Sequence, residues 1–428
     1  MNYIFIFATL LMIWSLTSLR QDYLHPLGVI TFVLYLYGAG GVGLAHMADE
    51  PILGEFTSRE VLMGGFYGIS CMLLYVAGFK LGSYRRPNAQ AITRAVLSTG
   101  TGYLYSTYLM VGFVFGILAM IYFAGSVGNF IARSDLRQAL SGGKAWILFF
   151  LLAAKWGFFV FLMRERHSKR FHLIGNVVVG IGVLTLLLVW GRLFALVFLM
   201  QALIFIYSSR TISVMRALLG GLTIFLVVFV AGIHRWMQGI TETKDLSGFS
   251  ENLDFALNKI NYVSIFLNNF FDGWYVFLGY LATSLRNDWN LWGSFSLGAL
   301  FKVVPGAYAT YVDLFLNQTF SLLGDSIDTG ARASNLMGEM FLDFNFLGGM
   351  FFGVMGYVIA AIYKRERAEK QLFPAIGSRL WSLAYAILLC NILIAVRTGL
   401  AAGVTWMFVD FCWFAIWVFC NGKKIAKT

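Results

Sequence analysis

The sequence predicts an all-α polytopic membrane protein of about eleven transmembrane helices with one long outer loop late in the chain. Three observations predict it. The mean hydropathy is +0.74, only 12% of the 428 residues are charged, and basic and less basic linkers alternate regularly between apolar runs. A soluble chain carries about 25% charged residues, and half of that leaves too little polar surface to cover a fold of this size in water. The same composition excludes nucleic-acid binding, a secreted disulfide scaffold and disorder.

A bilayer core takes about 20 apolar residues per helix. Runs of that kind lie at 2–19, 26–45, 60–82, 101–124, 145–163, 171–190, 193–209, 217–233, 346–363, 378–397 and 401–420. The first is expected to remain in the protein rather than act as a cleaved signal, because its nearest basic residue, Arg20, follows it instead of preceding it. The four cysteines, Cys71, Cys390, Cys412 and Cys420, all fall inside apolar runs and show no CxxC spacing, so they read as small core residues.

Orientation comes from the linkers. Those after the first, third, fifth, seventh and ninth runs carry Arg20, then Arg85, Arg86 and Arg94, then Arg164, Arg166, Lys169 and Arg170, then Arg210 and Arg216, then Lys364, Arg365, Arg367 and Lys370. Lys423, Lys424 and Lys427 close the chain on the same side. The positive-inside rule makes that face cytoplasmic and the N-terminus outer. The net charge of +11 is then mainly a topology signal rather than the mark of a polyanion partner.

The chain divides into N-terminal membrane helices over 1–233, a long outer loop over 234–345, and C-terminal membrane helices over 346–428. The loop holds eleven acidic and six basic residues. Within it, 264–283 is apolar enough to pass for a span. Counting it would move the basic run at 364–367 to the outside and would bury Asn268, Asn269 and Asp272, so it reads as an interfacial or re-entrant helix. Its aromatic residues, Trp274 among them, suit stacking on sugar rings and equally suit a membrane-interface belt.

A membrane protein whose large aqueous feature faces outward acts on something at or beyond the outer leaflet. No Walker A sequence is present, no GxGxxG opens a nucleotide domain, and no long cytoplasmic loop offers a nucleotide site. The five histidines form no HxxxH or HExxH pair, no DxD triplet occurs, and the nearest pair of aspartates is Asp325 and Asp328, spaced DxxD. Chemistry without a metal or cofactor, with arginines carrying the electrostatic load, is the expectation.

Five outer-face arginines stand out: Arg192, in the turn VWGRLF; Arg235, next to His234; Arg286; Arg332; and Arg397, in AVRTGLAAG. Guanidinium groups bind phosphate oxygens in bidentate fashion, and several together suit a diphosphate. Each also reads as a snorkelling helix end or as half of a structural ion pair. If 332–340 is helical, Arg332, Asn335 and Glu339 share one face. Glu339 can then accept a proton from a sugar hydroxyl, or pair with an arginine and fix the helix.

The Gly191–Arg192 turn, the single long outer loop and the loop exit SNLMGEMFLDFNFLGG together resemble the O-antigen polymerases. The resemblance implies a GT-C-like membrane glycosyltransferase of the bacterial inner membrane, with its N-terminus periplasmic and its C-terminus cytoplasmic. Such enzymes polymerise undecaprenyl-diphosphate-linked repeat units at the periplasmic face, without a metal. On this reading Arg192, Arg235, Arg332 and Arg397 hold the donor diphosphate. Glu339 is the candidate base and His234 its reserve, while Asn335 and Trp274 contact glycan. The partners implied are lipid-linked donor and acceptor, the bilayer, a chain-length regulator and a flippase. An O-antigen ligase is the nearest alternative. A lipid-linked sugar flippase or transporter is the alternative from another class, and it is disfavoured by the scarcity of mid-span charge, where only Lys155 and Asp410 lie well inside apolar runs.

Overall fold

The structure, a computed structural model, describes residues 2–20, 22–47, 56–84, 192–209, 262–288, 290–294, 335–372 and 380–422, with isolated positions elsewhere. These are helical, and no strand occurs among them. Nine helices organise the described chain: α1 (Asn2–Leu16), α2 (Pro26–Tyr37), α3 (Ala39–Met47), α4 (Ser58–Tyr84), α5 (Arg192–Ser209), α6 (Tyr262–Asn287), α7 (Leu336–Phe344), α8 (Gly349–Leu372) and α9 (Leu380–Gly422).

Four stretches are long and apolar enough to cross a membrane: Asn2–Arg20, Ser58–Tyr84, Leu336–Gln371 and Trp381–Leu400. The pair α2 and α3, bent by 45°, makes a fifth. The protein is therefore a helical membrane protein. The runs expected at 101–124, 145–163, 171–190 and 217–233 fall largely outside the described residues.

The helices cluster into two compact units. One combines 1–88, 263–365 and 387–408, and the other combines 89–262, 366–386 and 409–428. In the first, local sequence sets the helix starts. His25 caps α2 by accepting from the Leu27 amide at 3.3 Å, and Pro26 occupies the first helical position, where no amide hydrogen is needed. Thr57 and Glu60 form a reciprocal box at the start of α4: the Thr57 amide donates to Glu60 Oε2 at 2.8 Å, and the Glu60 amide donates to Thr57 Oγ1 at 3.3 Å.

Glycines bring α4 and α8 into backbone contact. A Cβ at Gly78 would sit 1.9 Å from the Gly353 carbonyl oxygen, one at Gly82 would meet the Tyr357 carbonyl at 2.6 Å, and one at Gly356 the Tyr75 carbonyl at 2.3 Å. Membrane helices gain no hydrophobic drive from each other, so such close approach is what holds them. Positions rise together along the two helices, so α4 and α8 run parallel. Their Tyr84 and Arg365 ends lie on the same side.

The segment read as an interfacial or re-entrant helix, within α6, packs along α4. Arg286 pairs with Glu60, Leu278 lies against Gly64, and Phe277 stacks on Tyr67 at 6.2 Å, so α6 runs antiparallel to α4. Every residue of α6 from Gly273 to Ser284 is buried. The polar residues Asn268, Asn269 and Asp272 precede this stretch.

In the second unit the described residues include a buried polar node. Gln201 Nε2 donates to Asp410 Oδ2 at 2.9 Å and Trp156 Nε1 donates to Asp410 Oδ1 at 3.3 Å, with all three residues fully buried. A carboxylate in an apolar run is costly unless donors surround it.

The glycine contact can be tested directly. Gly78→Leu is expected to destabilise the protein by about 1–3 kcal/mol, the cost of overpacking a closed contact, read as a lowered unfolding temperature in detergent. Gly54→Ala, where a Cβ meets nothing within 4 Å, should leave that temperature unchanged.

Candidate functional site

The helix α7 is short because both ends are fixed by side chains. Asn335 adopts an extended conformation before it, and its Oδ1 accepts from the Met337 amide at 2.9 Å and the Gly338 amide at 3.2 Å. Its Nδ2 donates to the Gly273 carbonyl at 2.9 Å and the Tyr37 carbonyl at 3.4 Å. One buried amide thus caps α7 and ties it to α6 and to the end of α2. Asn335 is fully buried and its polar atoms serve the fold.

At the other end Asn345 takes a positive φ of 53° and the chain folds back through a 3-10 turn, Asn345–Gly348. A Cβ at Gly348 would lie 2.1 Å from the Met340 carbonyl. Tyr67 fills the fold, edge-on to Phe341 at 4.9 Å and to Phe346 at 5.9 Å.

Glu339 sits in the first turn of α7 and is fully buried. Its Oε2 accepts the Leu400 amide at 2.5 Å. Leu400 follows Gly399, whose φ of 82° and ψ of 172° break α9 within its helical run. A side chain at Gly399 would be strained by that backbone, and the sequence places a residue without one there. A helix that restarts after a break exposes unpaired amides, and a carboxylate against the first of them satisfies the donor and complements the positive helix end.

Arg397, half-buried, lies two residues before the break. The loop-exit carboxylate, far away in sequence, thus reaches the backbone of the break three residues after Arg397.

The other expected site residues are distributed as follows. Arg192 is the first residue of α5, with its side chain outside the described residues; His234, Arg235 and Arg332 lie outside them altogether. Trp274 is buried, with its Cβ against Gly41 and its ring edge-on to Tyr275 at 6.1 Å. Arg286 forms a bidentate pair with Glu60, Nε to Oε1 at 2.7 Å and Nη2 to Oε2 at 2.8 Å. Among the described residues no group of three or more histidines, cysteines or carboxylates is assembled that could hold a metal.

Sequence reasoning passed over Trp292. Its side chain is 74% exposed and its φ is 49°, a conformation rare for bulky residues. Three neighbours hold it there. Its amide donates to Asn290 Oδ1 at 3.3 Å, the Leu291 amide donates to the Leu342 carbonyl at 3.1 Å, and Gly293 lies against the Phe344 ring. Just beyond, the Ser296 amide donates to buried Asp343 Oδ2 at 2.8 Å, and the Ser296 hydroxyl bonds to the same oxygen. The two tryptophans of NDWNLWGS were the available signal.

Compared with known protein families, characterised proteins and solved structures, the chain matches none.

The structural share of Asn335 is measurable. Asn335→Ala removes a cap and the bonds from Nδ2 to the Gly273 and Tyr37 carbonyls, an expected loss of about 2–4 kcal/mol in unfolding experiments. Asn335→Asp retains the two accepted bonds but sets a buried carboxylate oxygen against the Gly273 and Tyr37 carbonyls, so it should destabilise at least as much as alanine.

Proposed function

We propose that the protein is a glycosyltransferase of the O-antigen polymerase kind, joining polyprenyl-diphosphate-linked repeat units at the outer face of the bacterial inner membrane. One observation carries the reading: the Glu339 carboxylate lies on the first amide after the break that carries Arg397. In this reading the two roles that the transfer needs, a proton acceptor and a cation for the leaving diphosphate, are taken by Glu339 and by Arg397, three residues before the amide that Glu339 holds.

In the proposed reaction an acceptor hydroxyl oxygen forms a new bond to the anomeric carbon of the donor glycan. The bond from that carbon to the diphosphate oxygen breaks, and its electron pair leaves with the lipid diphosphate. The hydroxyl proton passes to Glu339, with His234 as the reserve base. Arg397, with Arg192, Arg235 and Arg332, stabilises the charge that grows on the diphosphate. Because Glu339 is enclosed at the junction, movement at Gly399 admits the acceptor, as a hinge residue at a helix break can. Trp292, exposed and fixed to the end of α7, offers a face for glycan. The span count of about eleven and the periplasmic N-terminus belong to the same proposal.

The test is the lipopolysaccharide ladder in a strain lacking its polymerase and expressing variants of this chain. Arg397→Ala and Arg192→Ala, at normal protein levels, are expected to lower polymer by at least about 100-fold, the scale for removing one donor to a developing negative charge. Trp292→Ala is expected to shorten the ladder and Trp292→Phe to restore it. Full ladders from both arginine variants would overturn the reading.

A flippase for lipid-linked sugar is the second reading, favoured by the discontinuity at Gly399 and by the fully buried Asp410. The same strain separates the candidates. Loss of a polymerase leaves lipid A core capped by a single repeat, loss of a ligase leaves core uncapped, and loss of a flippase leaves lipid-linked repeats on the cytoplasmic leaflet.

A further inference from the structure

We propose that a cavity at the Tyr84 end of α4 is a binding site for the headgroup of an anionic phospholipid that carries free hydroxyls, of the phosphatidylglycerol type. The cavity, of about 360 Å³, lies among the end of α1, the 3-10 turn Thr17–Arg20, the start of α2 and the last turns of α4. It is remote in the fold from Glu339 and independent of the reaction proposed above.

Its polar groups divide into donors and acceptors. Lys80 brings a positive charge: its ammonium stands 5.3 Å from the centroid of the Trp14 ring, and its side chain is exposed. His25 accepts the Leu27 amide through Nδ1, so the neutral ring carries its proton on Nε2 and donates from there. The ring is held edge-on to Tyr363 at 4.9 Å and tilted to Phe79 at 5.4 Å. A phosphodiester is matched by this ammonium and imidazole pair, with Arg20 exposed at the end of the neighbouring turn adding positive potential.

The hydroxyls select the rest of the headgroup. Thr17, Ser18 and Ser83 each donate their proton to a backbone carbonyl, of Trp14 at 2.6 Å, Ser15 at 2.6 Å and Lys80 at 2.7 Å. What they present to the cavity is lone pairs. Lone pairs repel a second phosphate and accept from hydroxyl groups, so one phosphate bearing a glycerol fits better than a free polyphosphate.

An apolar lane leads from the cavity. Ile6, Leu10 and Ile13 are exposed on α1 at spacings of four and three residues, one face of a helix, and they run up to Trp14 at the cavity wall. An acyl chain laid along this face would follow its headgroup into the site. By the basic-linker rule this end of α4 faces the cytoplasm, where Lys and Arg meet anionic lipid.

The experiment is native mass spectrometry of the detergent-purified full chain with phosphatidylglycerol or phosphatidylcholine added, and with inorganic phosphate as competitor. The wild type is expected to retain one phosphatidylglycerol with about a five-fold preference, the scale of one basic residue at a membrane surface. Lys80→Gln, at an exposed position, and Trp14→Leu should both abolish the preference, and inorganic phosphate should not displace the lipid. Equal retention of the two lipids by wild type, an unchanged preference in Lys80→Gln, or displacement by phosphate alone, which would mark a free-anion site, would each overturn the proposal.

Discussion

The bond from the Leu400 amide to Glu339 is the interaction on which the rest of the site depends. A helix interrupted inside an apolar protein has amides with no water to turn to, and each unsatisfied group there costs several kcal/mol. The break at Gly399 survives because a carboxylate is delivered to it. That delivery requires α7 to begin at the right place, which Asn335 ensures by capping α7 while holding the Gly273 and Tyr37 carbonyls. The fold-back at Asn345 and the rings around Tyr67 then close the far end.

Around this junction the bundle is held by shape more than by hydrophobicity. Gly78, Gly82, Gly353 and Gly356 let α4 and α8 touch backbone to backbone. Polar side chains supply the fixed points: the capping box that also receives Arg286 at the start of α4, and Asp410 between Trp156 and Gln201 in the second unit. Both devices suit a medium in which apolar surface is no stickier against protein than against lipid. The parallel pairing of α4 and α8 brings Tyr84 and the Lys364–Arg365 stretch of α8 to one side.

Much of the helical class was legible because it depends on composition. The break was legible too: AVRTGLAAG places a small, permissive residue beside an arginine between two apolar runs, and the structure breaks α9 at Gly399. The helix expected over 332–340 begins only at Leu336, with Asn335 as its extended cap, so Asn335 and Glu339 do not share a helical face and reach different partners, the Gly273 and Tyr37 carbonyls and the Leu400 amide. Periodicity says which residues share a face and is silent about what that face meets. Arg286 was read as an outer arginine, and nothing local to it announces Glu60, which is distant in sequence. In 264–283 the three polar residues precede Gly273, where the buried stretch begins, and spacing alone does not name α4 as the neighbour of that stretch. Trp292 was passed over because its exposure comes from a turn whose backbone bonds, to Leu342 above all, are long-range.

The most direct measurement is the mass of products formed by purified protein from synthetic lipid-diphosphate repeat units, comparing wild type with Glu339→Gln. Glutamine can still accept the Leu400 amide, so the junction is retained, but it cannot take a proton from the acceptor hydroxyl. Wild type is expected to give lengthened lipid-linked glycan, and the folded Glu339→Gln protein to lose about 100- to 10,000-fold in rate, the usual contribution of a general base. Lengthening by Glu339→Gln at the wild-type rate would contradict the account.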